Sequence, residues 1–169
     1  MPGSSPAEPT GVRILLVEDE VAIRRATAGA LEAMGHTVDA EGELEAAQAQ
    51  LKAHTYDLAI LDLKLRQGCG GFVLIRHIRA AGLPTPIVIL SSTRDHEDIL
   101  AALRLGVSDF VQKPVRVSEL QCVTRRILQR GAVAANEKDA AALADEEADD
   151  DAPLDDVAAA AASAEEGAA

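Results

Sequence analysis

Tryptophan is absent from this 169-residue chain, and the aromatic side chains number three: Tyr56, Phe72 and Phe110. Leu, Ile, Val and Ala must therefore fill any core, which is feasible because 48% of the residues are hydrophobic. Cysteine is scarce as well. Cys69 and Cys122 make no disulfide framework and fit no metal-ligand spacing, and His36, His54, His77 and His96 show none either. No apolar run approaches the ~18 to 20 residues that a membrane-spanning helix needs. Residues 1–10 are rich in Pro, Ser and Gly but lack the basic and apolar regions of a signal peptide, so they read as a flexible leader. These absences leave a soluble, cytoplasmic protein as the expectation.

Positive charge is short too, but unevenly. The net charge is −12. Residues 132–169 hold twelve Asp and Glu and one Lys, which leaves sixteen acidic and fifteen basic residues in 1–131. The acidity thus belongs to the tail, and the body is nearly neutral. A nucleic-acid partner would need a basic face, and none is visible. The tail is Ala-rich, has no apolar period and reads as disordered.

What is present is an alternation. Val12 to Val17 is a short apolar run of the kind that forms a buried parallel strand. The period then changes, and Val21, Ala22, Leu31 and Met34 fit a helix that ends with Gly35 at C′. Val38 marks a weak second strand, and Leu44, Ala47 and Leu51 share one face of a helix over 43–53. Leu58 to Leu61 is the third strand, 68–71 a loop, and Phe72, Leu74, Ile75 and Ile78 a helix that stops before Gly82. Ile87 to Leu90 is the most hydrophobic strand. Asp95 is a candidate N-cap for the helix carrying Ile99, Leu100 and Leu103, which Gly106 closes. Asp109 to Val111 is the last strand, and Ser118 with Gln121 makes a capping-box start for a final helix with Leu120, Val123 and Ile127 facing inward. Five strands alternating with five helices predict a doubly wound α/β domain, a parallel sheet with helices on both faces, over residues 11–131.

The polar residues that interrupt this pattern fall in equivalent places. Glu18 and Asp19 follow the first strand, Asp62 the third, Ser91 the fourth and Lys113 the fifth. Carboxyl ends of parallel strands converge on one crevice, so three carboxylates, a hydroxyl and an ammonium are expected together. Three adjacent carboxylates repel unless a cation is present, and Mg²⁺ suits a few carboxylates combined with water and phosphate oxygens. With Lys113 and Ser91 beside it, Asp62 becomes a candidate nucleophile for phosphoryl transfer. Each residue alone has a plainer reading. Asp62 would be a turn or N-cap residue, Lys113 a solvated lysine, Phe110 core, Cys69 a bystander thiol, and Arg125, Arg126 and Arg130 a solvated helical face. The combination favours the phosphoryl site.

At these residues the chain resembles the CheY-like receiver domain of bacterial two-component response regulators. The similarity is carried by Ile14-Leu15-Leu16-Val17-Glu18-Asp19-Glu20, Asp57-Leu58-Ala59-Ile60-Leu61-Asp62-Leu63, Ile89-Leu90-Ser91-Ser92 and Asp109-Phe110-Val111-Gln112-Lys113-Pro114. The resemblance implies the flavodoxin-like strand order 2-1-3-4-5, which is inherited from the family rather than read from periodicity. It implies that Glu18, Asp19 and Asp62 bind Mg²⁺ with help from the Lys64 backbone carbonyl. Asp62 would be the phosphoacceptor, Ser91 the switch hydroxyl, Phe110 the switch aromatic, and Lys113 the site lysine before a proline that is commonly cis. Lys64 and Thr93 would tune the lifetime of the phosphate. Two departures stand out: Arg66 replaces the family's usual Pro, and the loop 67–71 is one residue longer than usual.

The partners so implied are a sensor histidine kinase or histidine phosphotransfer protein, and a downstream protein read out by the fourth helix, fifth strand and fifth helix. Such a domain is not an enzyme on an outside substrate, although it catalyses its own phosphorylation and dephosphorylation. An aspartyl phosphohydrolase of the haloacid-dehalogenase kind would need a second Asp where Lys64 stands. A phosphorylation-independent module has usually lost one of the site residues, and none is lost here. Residues 132–169 carry no output-domain pattern, so the chain is expected to be a stand-alone receiver or the N-terminal fragment of a longer regulator.

Overall fold

A computed structural model describes residues 11–66, 68–92 and 96–146. The elements run β1 (Arg13–Val17), α1 (Val21–Glu32), β2 (Thr37–Glu41), α2 (Leu44–Ala53), β3 (Leu58–Asp62), α3 (Gly70–Ala80), β4 (Ile87–Ser91), α4 (His96–Arg104), β5 (Asp109–Gln112) and α5 (Val117–Glu146). All strand pairs are parallel, and the sheet order is β2-β1-β3-β4-β5. This is the doubly wound five-stranded fold with five helices that the alternation predicts.

Strand periodicity divides the core in two. Leu15, Val17, Ala59, Leu61, Ile87 and Ile89 point to one face, where Ala47 and Leu51 of α2, Leu74, Ile75 and Ile78 of α3, and Ala102 of α4 cover them. Ile14, Leu16, Leu58, Ile60, Val88 and Leu90 point to the other, under Leu31 of α1 and Leu120, Val123, Ile127 and Leu128 of α5. Every residue of β3 and β4 is buried, as strands covered on both faces must be. The inward trio Leu120, Val123 and Ile127 lies where the sequence predicts it.

Several helix ends also match. Gly35, at φ 87°, donates its N–H to the Glu32 carbonyl (2.9 Å), and His36 donates to Leu31 (3.4 Å). That pair of bonds is the Schellman stop, which needs a residue in the left-handed region. Gly82 and Gly106 repeat the same bonding pattern after α3 and α4.

Other boundaries moved. Helix α3 starts at Gly70, two residues before Phe72, because the chain turns into it directly from the 68–69 bend. Helix α5 starts at Val117, with Leu120 N–H bonded to the Arg116 carbonyl, so Ser118 lies inside the first turn rather than capping it. Val21, expected on an apolar helix face, is exposed at the start of α1.

The chain divides into two compact units, 1–132 and 133–169. Helix α5 nonetheless extends to Glu146, into the stretch expected to be disordered. The leader at 1–10, residues 147–169 of the tail, Thr93 and the Asp95 cap fall outside the described residues.

Candidate functional site

In the order β2-β1-β3-β4-β5 the chain leaves β1 in one direction, then returns past it to build β3, β4 and β5. The crevice at the carboxyl ends of β1 and β3 lies at this switch point. Glu18 and Asp19 lie directly beyond β1, and Asp62 is the last residue of β3. Ser91 ends β4, one residue past the partner of Asp62 in the register Asp62↔Leu90. Lys113 follows β5, and its N–H donates to the Ser91 carbonyl (2.9 Å), which fixes the two strand ends side by side. The Lys113–Pro114 peptide is cis.

Glu18, Asp19, Asp62 and Lys113 come together at this edge. Lys113 Nζ donates to Asp62 Oδ2 at 2.6 Å and lies 2.5 Å from Glu18 Oε2. Carboxylate oxygens of Glu18, Asp19 and Asp62 all lie within 4.8 Å of one another, close enough to share a cation. Glu18, Asp62 and Ser91 are buried, whereas Asp19 is partly open. The second Asp62 oxygen accepts the Lys64 N–H at 2.9 Å, which holds the carboxylate in one orientation. Lys64 also reaches Asp98 of α4 with its ammonium, at 3.7 Å.

Burial dominates the electrostatics. Removal from water pushes the Glu18 pKa above the ordinary Glu value, and the bonds from Lys113 and the Glu20 N–H offset only part of that. Burial also works to lower the Lys113 pKa, but the hydrogen bonds to Asp62 and Glu18 outweigh it and leave the value raised. The ammonium is therefore held charged against an excess of negative groups. Three carboxylates around one lysine fit a divalent cation both in donor type and in charge.

Three features beside the site carry no signal in sequence spacing. Arg24, in the first turn of α1, folds back to donate to the Glu18 carbonyl at 2.6 Å and the Asp19 carbonyl at 3.4 Å. Arg66 pairs with Asp19, Nε to Oδ2, at 3.7 Å. Gly71 lets the start of α3 approach the site strand: a Cβ there would lie 2.3 Å from the Asp62 carbonyl oxygen and 2.6 Å from Leu63 Cα. Glycine is required at that position by contact rather than by backbone angle. Phe110, the expected switch aromatic, is half-buried against the core layer of α2, α3 and α4.

This architecture gathers three carboxylates and a lysine at the carboxyl edge of a doubly wound parallel sheet. Residues 14–125 match the response regulator receiver domain family. The chain belongs to that family. It is 35% identical over 121 residues to the two-component response regulator PhoP of Pseudomonas aeruginosa, covering 72% of this chain and 53% of that protein. It is 34% identical over 132 residues to the transcriptional regulatory protein TcrA of Mycobacterium tuberculosis, covering 78% and 52% respectively. A crystal structure of a two-component response regulator from Clostridium difficile superposes with a TM-score of 0.67 at 28% identity, over 70% of this chain and 97% of that one. The chain spans about half the length of the curated relatives it matches. No helix among the described residues is long and apolar enough to cross a membrane.

Proposed function

We propose that this chain is a phosphorylation-switched signalling domain that accepts a phosphoryl group on Asp62 from a phosphohistidine of a sensor kinase or phosphotransfer protein. The observation that carries this reading is Lys113, held 2.6 Å from Asp62 and 2.5 Å from Glu18 within a three-carboxylate cluster. Glu18, Asp19 and Asp62, with the Lys64 carbonyl, would hold a Mg²⁺ that neutralises phosphoryl oxygen charge during transfer. An Asp62 oxygen attacks phosphorus in line. The new O–P bond forms as the donor's P–N bond breaks, and the electron pair leaves on the imidazole nitrogen, which takes up a proton. Lys113, charged and already bonded to Asp62, balances charge on the acyl phosphate, and Ser91 donates its hydroxyl to a phosphoryl oxygen. The catalysis is confined to the domain's own phosphorylation and hydrolysis.

Signal output follows from the neighbours of Ser91. Inward movement of Ser91 opens space that Phe110 follows, and the surface of α4, β5 and α5 changes its affinity for a protein partner. Two observations support that surface: Leu100 and Leu103 of α4 are half exposed, at 51% and 50%, and Arg126 of α5 pairs with Asp109 of β5. A cytoplasmic location follows from a kinase donor.

The test is intact-mass measurement after incubation with acetyl phosphate and Mg²⁺. Wild type gains one phosphoryl group and Asp62→Asn gains none. Equal labelling of both proteins, or no labelling with any donor including the cognate kinase, defeats the proposal.

A further inference from the structure

The three carboxylates of the site are not equally guarded. Lys113 serves Glu18 and Asp62 at 2.5 and 2.6 Å and is itself mostly buried, its side chain 12% exposed. Asp19 takes its cation from elsewhere, from Arg66 in the β3–α3 loop at 3.7 Å, with the Arg66 side chain 79% exposed. The first pairing is tight and sealed, and the second is long and open to water. We infer that Arg66 is a displaceable counter-ion of Asp19, a positioning residue that sets the affinity of the acidic site for its divalent cation. This rests on the metal-assisted phosphoacceptor reading above.

An exposed ion pair at this separation is weak, so Arg66 can leave Asp19 at little cost. A cavity of about 530 Å³ borders the pair, and Glu41, Glu43 and one further guanidinium, Arg24, line it together with Asp19 and Arg66. A released guanidinium therefore has other acidic groups within the same hollow. Finally, a fixed positive charge beside a divalent site opposes binding even when it touches no ligand. Combining the pair with the through-space repulsion gives roughly three- to tenfold weaker metal binding with Arg66 than without it. A proline at this position would provide neither effect.

Arg66 and Lys113 therefore play different parts. Lys113 stays on Asp62 throughout, because its partners are buried and its charge is needed there. Arg66 must give up Asp19 each time the site is loaded. The requirement for divalent ion is thereby raised without any change to the reacting groups.

The experiment is titration of the full chain with Mn²⁺, following free ion by electron paramagnetic resonance, for wild type, Arg66→Gln, Arg66→Lys and Asp19→Asn. Arg66→Gln should bind roughly three- to tenfold more tightly than wild type, and Arg66→Lys within about twofold of it. Raising ionic strength should narrow the gap, since the pair is exposed. In labelling by acetyl phosphate, the half-saturating Mg²⁺ concentration should fall for Arg66→Gln while the rate at saturating Mg²⁺ stays the same. Equal or weaker Mn²⁺ binding by Arg66→Gln overturns the inference while leaving the phosphoacceptor reading intact. A change in the saturated rate without a change in half-saturation does the same. Failure of wild type itself to bind Mn²⁺ removes the phosphoacceptor reading and this inference together.

Discussion

Asp39 and Glu18 lie on neighbouring chain segments, one within β2 and the other just beyond β1, and each is bonded to a cation at close range. Asp39 accepts from Arg13 Nε at 2.7 Å and from the Tyr56 hydroxyl at 2.8 Å, while the Arg13 guanidinium also stacks on the Tyr56 ring at 5.6 Å. These partners, led by the Arg13 hydrogen bond, hold the Asp39 pKa below the ordinary Asp value. Glu18 has Lys113 at 2.5 Å, yet burial raises its pKa, and Asp62 shares the same lysine with Asp19 close by. One cluster has as many positive as negative charges and contributes to stability. The other has a negative excess that a divalent ion, or protonation of a carboxylate, can relieve. An unbalanced cluster is poor architecture and good chemistry, which is why the proposed function belongs to the Glu18 side of the sheet.

Removing Lys113 should break the contrast most severely. Lys113→Met leaves buried Glu18 without its cation and should cost roughly 3 kcal/mol at neutral pH, read by urea unfolding. Because the folded pKa of Glu18 is raised, its protonated form favours folding. The loss should therefore be small below the unfolded Glu value and grow as pH rises through the folded one. Mg²⁺ should recover part of it.

Gly71→Ala attacks the site through its backbone. The added carbon meets main-chain atoms of Asp62 and Leu63, so about 2 kcal/mol of stability should be lost, together with phosphoryl acceptance. Retained labelling with unchanged unfolding would contradict the contact.

Asp39→Asn sharpens the comparison with an opposite pH sign. Asp39 has a lowered folded pKa, so its contribution is present above the unfolded Asp value and disappears as pH falls through the folded one. A loss of about 1 kcal/mol at neutral pH is expected, fading in acid, with labelling of Asp62 unaffected. Smallest of all, Arg126→Ala removes a half-exposed pair with Asp109 and should change stability by under about 1 kcal/mol.

Much of this was legible in the sequence, and the reason is geometric. Apolar runs such as Leu58–Leu61 and Ile87–Leu90 can only be buried strands, and the first polar residue after each must sit at the strand end. Parallel pairing then brings Glu18, Asp19, Asp62, Ser91 and Lys113 to one edge without any contact being known. The starts of α3 and α5 were misjudged because Gly70, Gly71 and Ser118 have poor intrinsic signals, and tertiary context decides where the first turn begins. Arg24 was invisible as a site neighbour, and Arg66, marked as a departure in the sequence, gave no sign of its partner, for another reason. Long side chains from the first turn of α1 and from a loop choose their partners in three dimensions, and no spacing rule encodes that choice. The tail shows the limit of composition, since its Ala-rich start continues α5 to Glu146 despite its acidity.

The central claim concerns one carboxylate among three that share a site. The most direct measurement is borohydride reduction of protein treated with acetyl phosphate and Mg²⁺, followed by peptide mass mapping, because an aspartyl phosphate is reduced to homoserine. The account predicts homoserine at position 62 alone, dependent on Mg²⁺. Reduction at position 18 or 19, or labelling that leaves Asp62 intact, would contradict it.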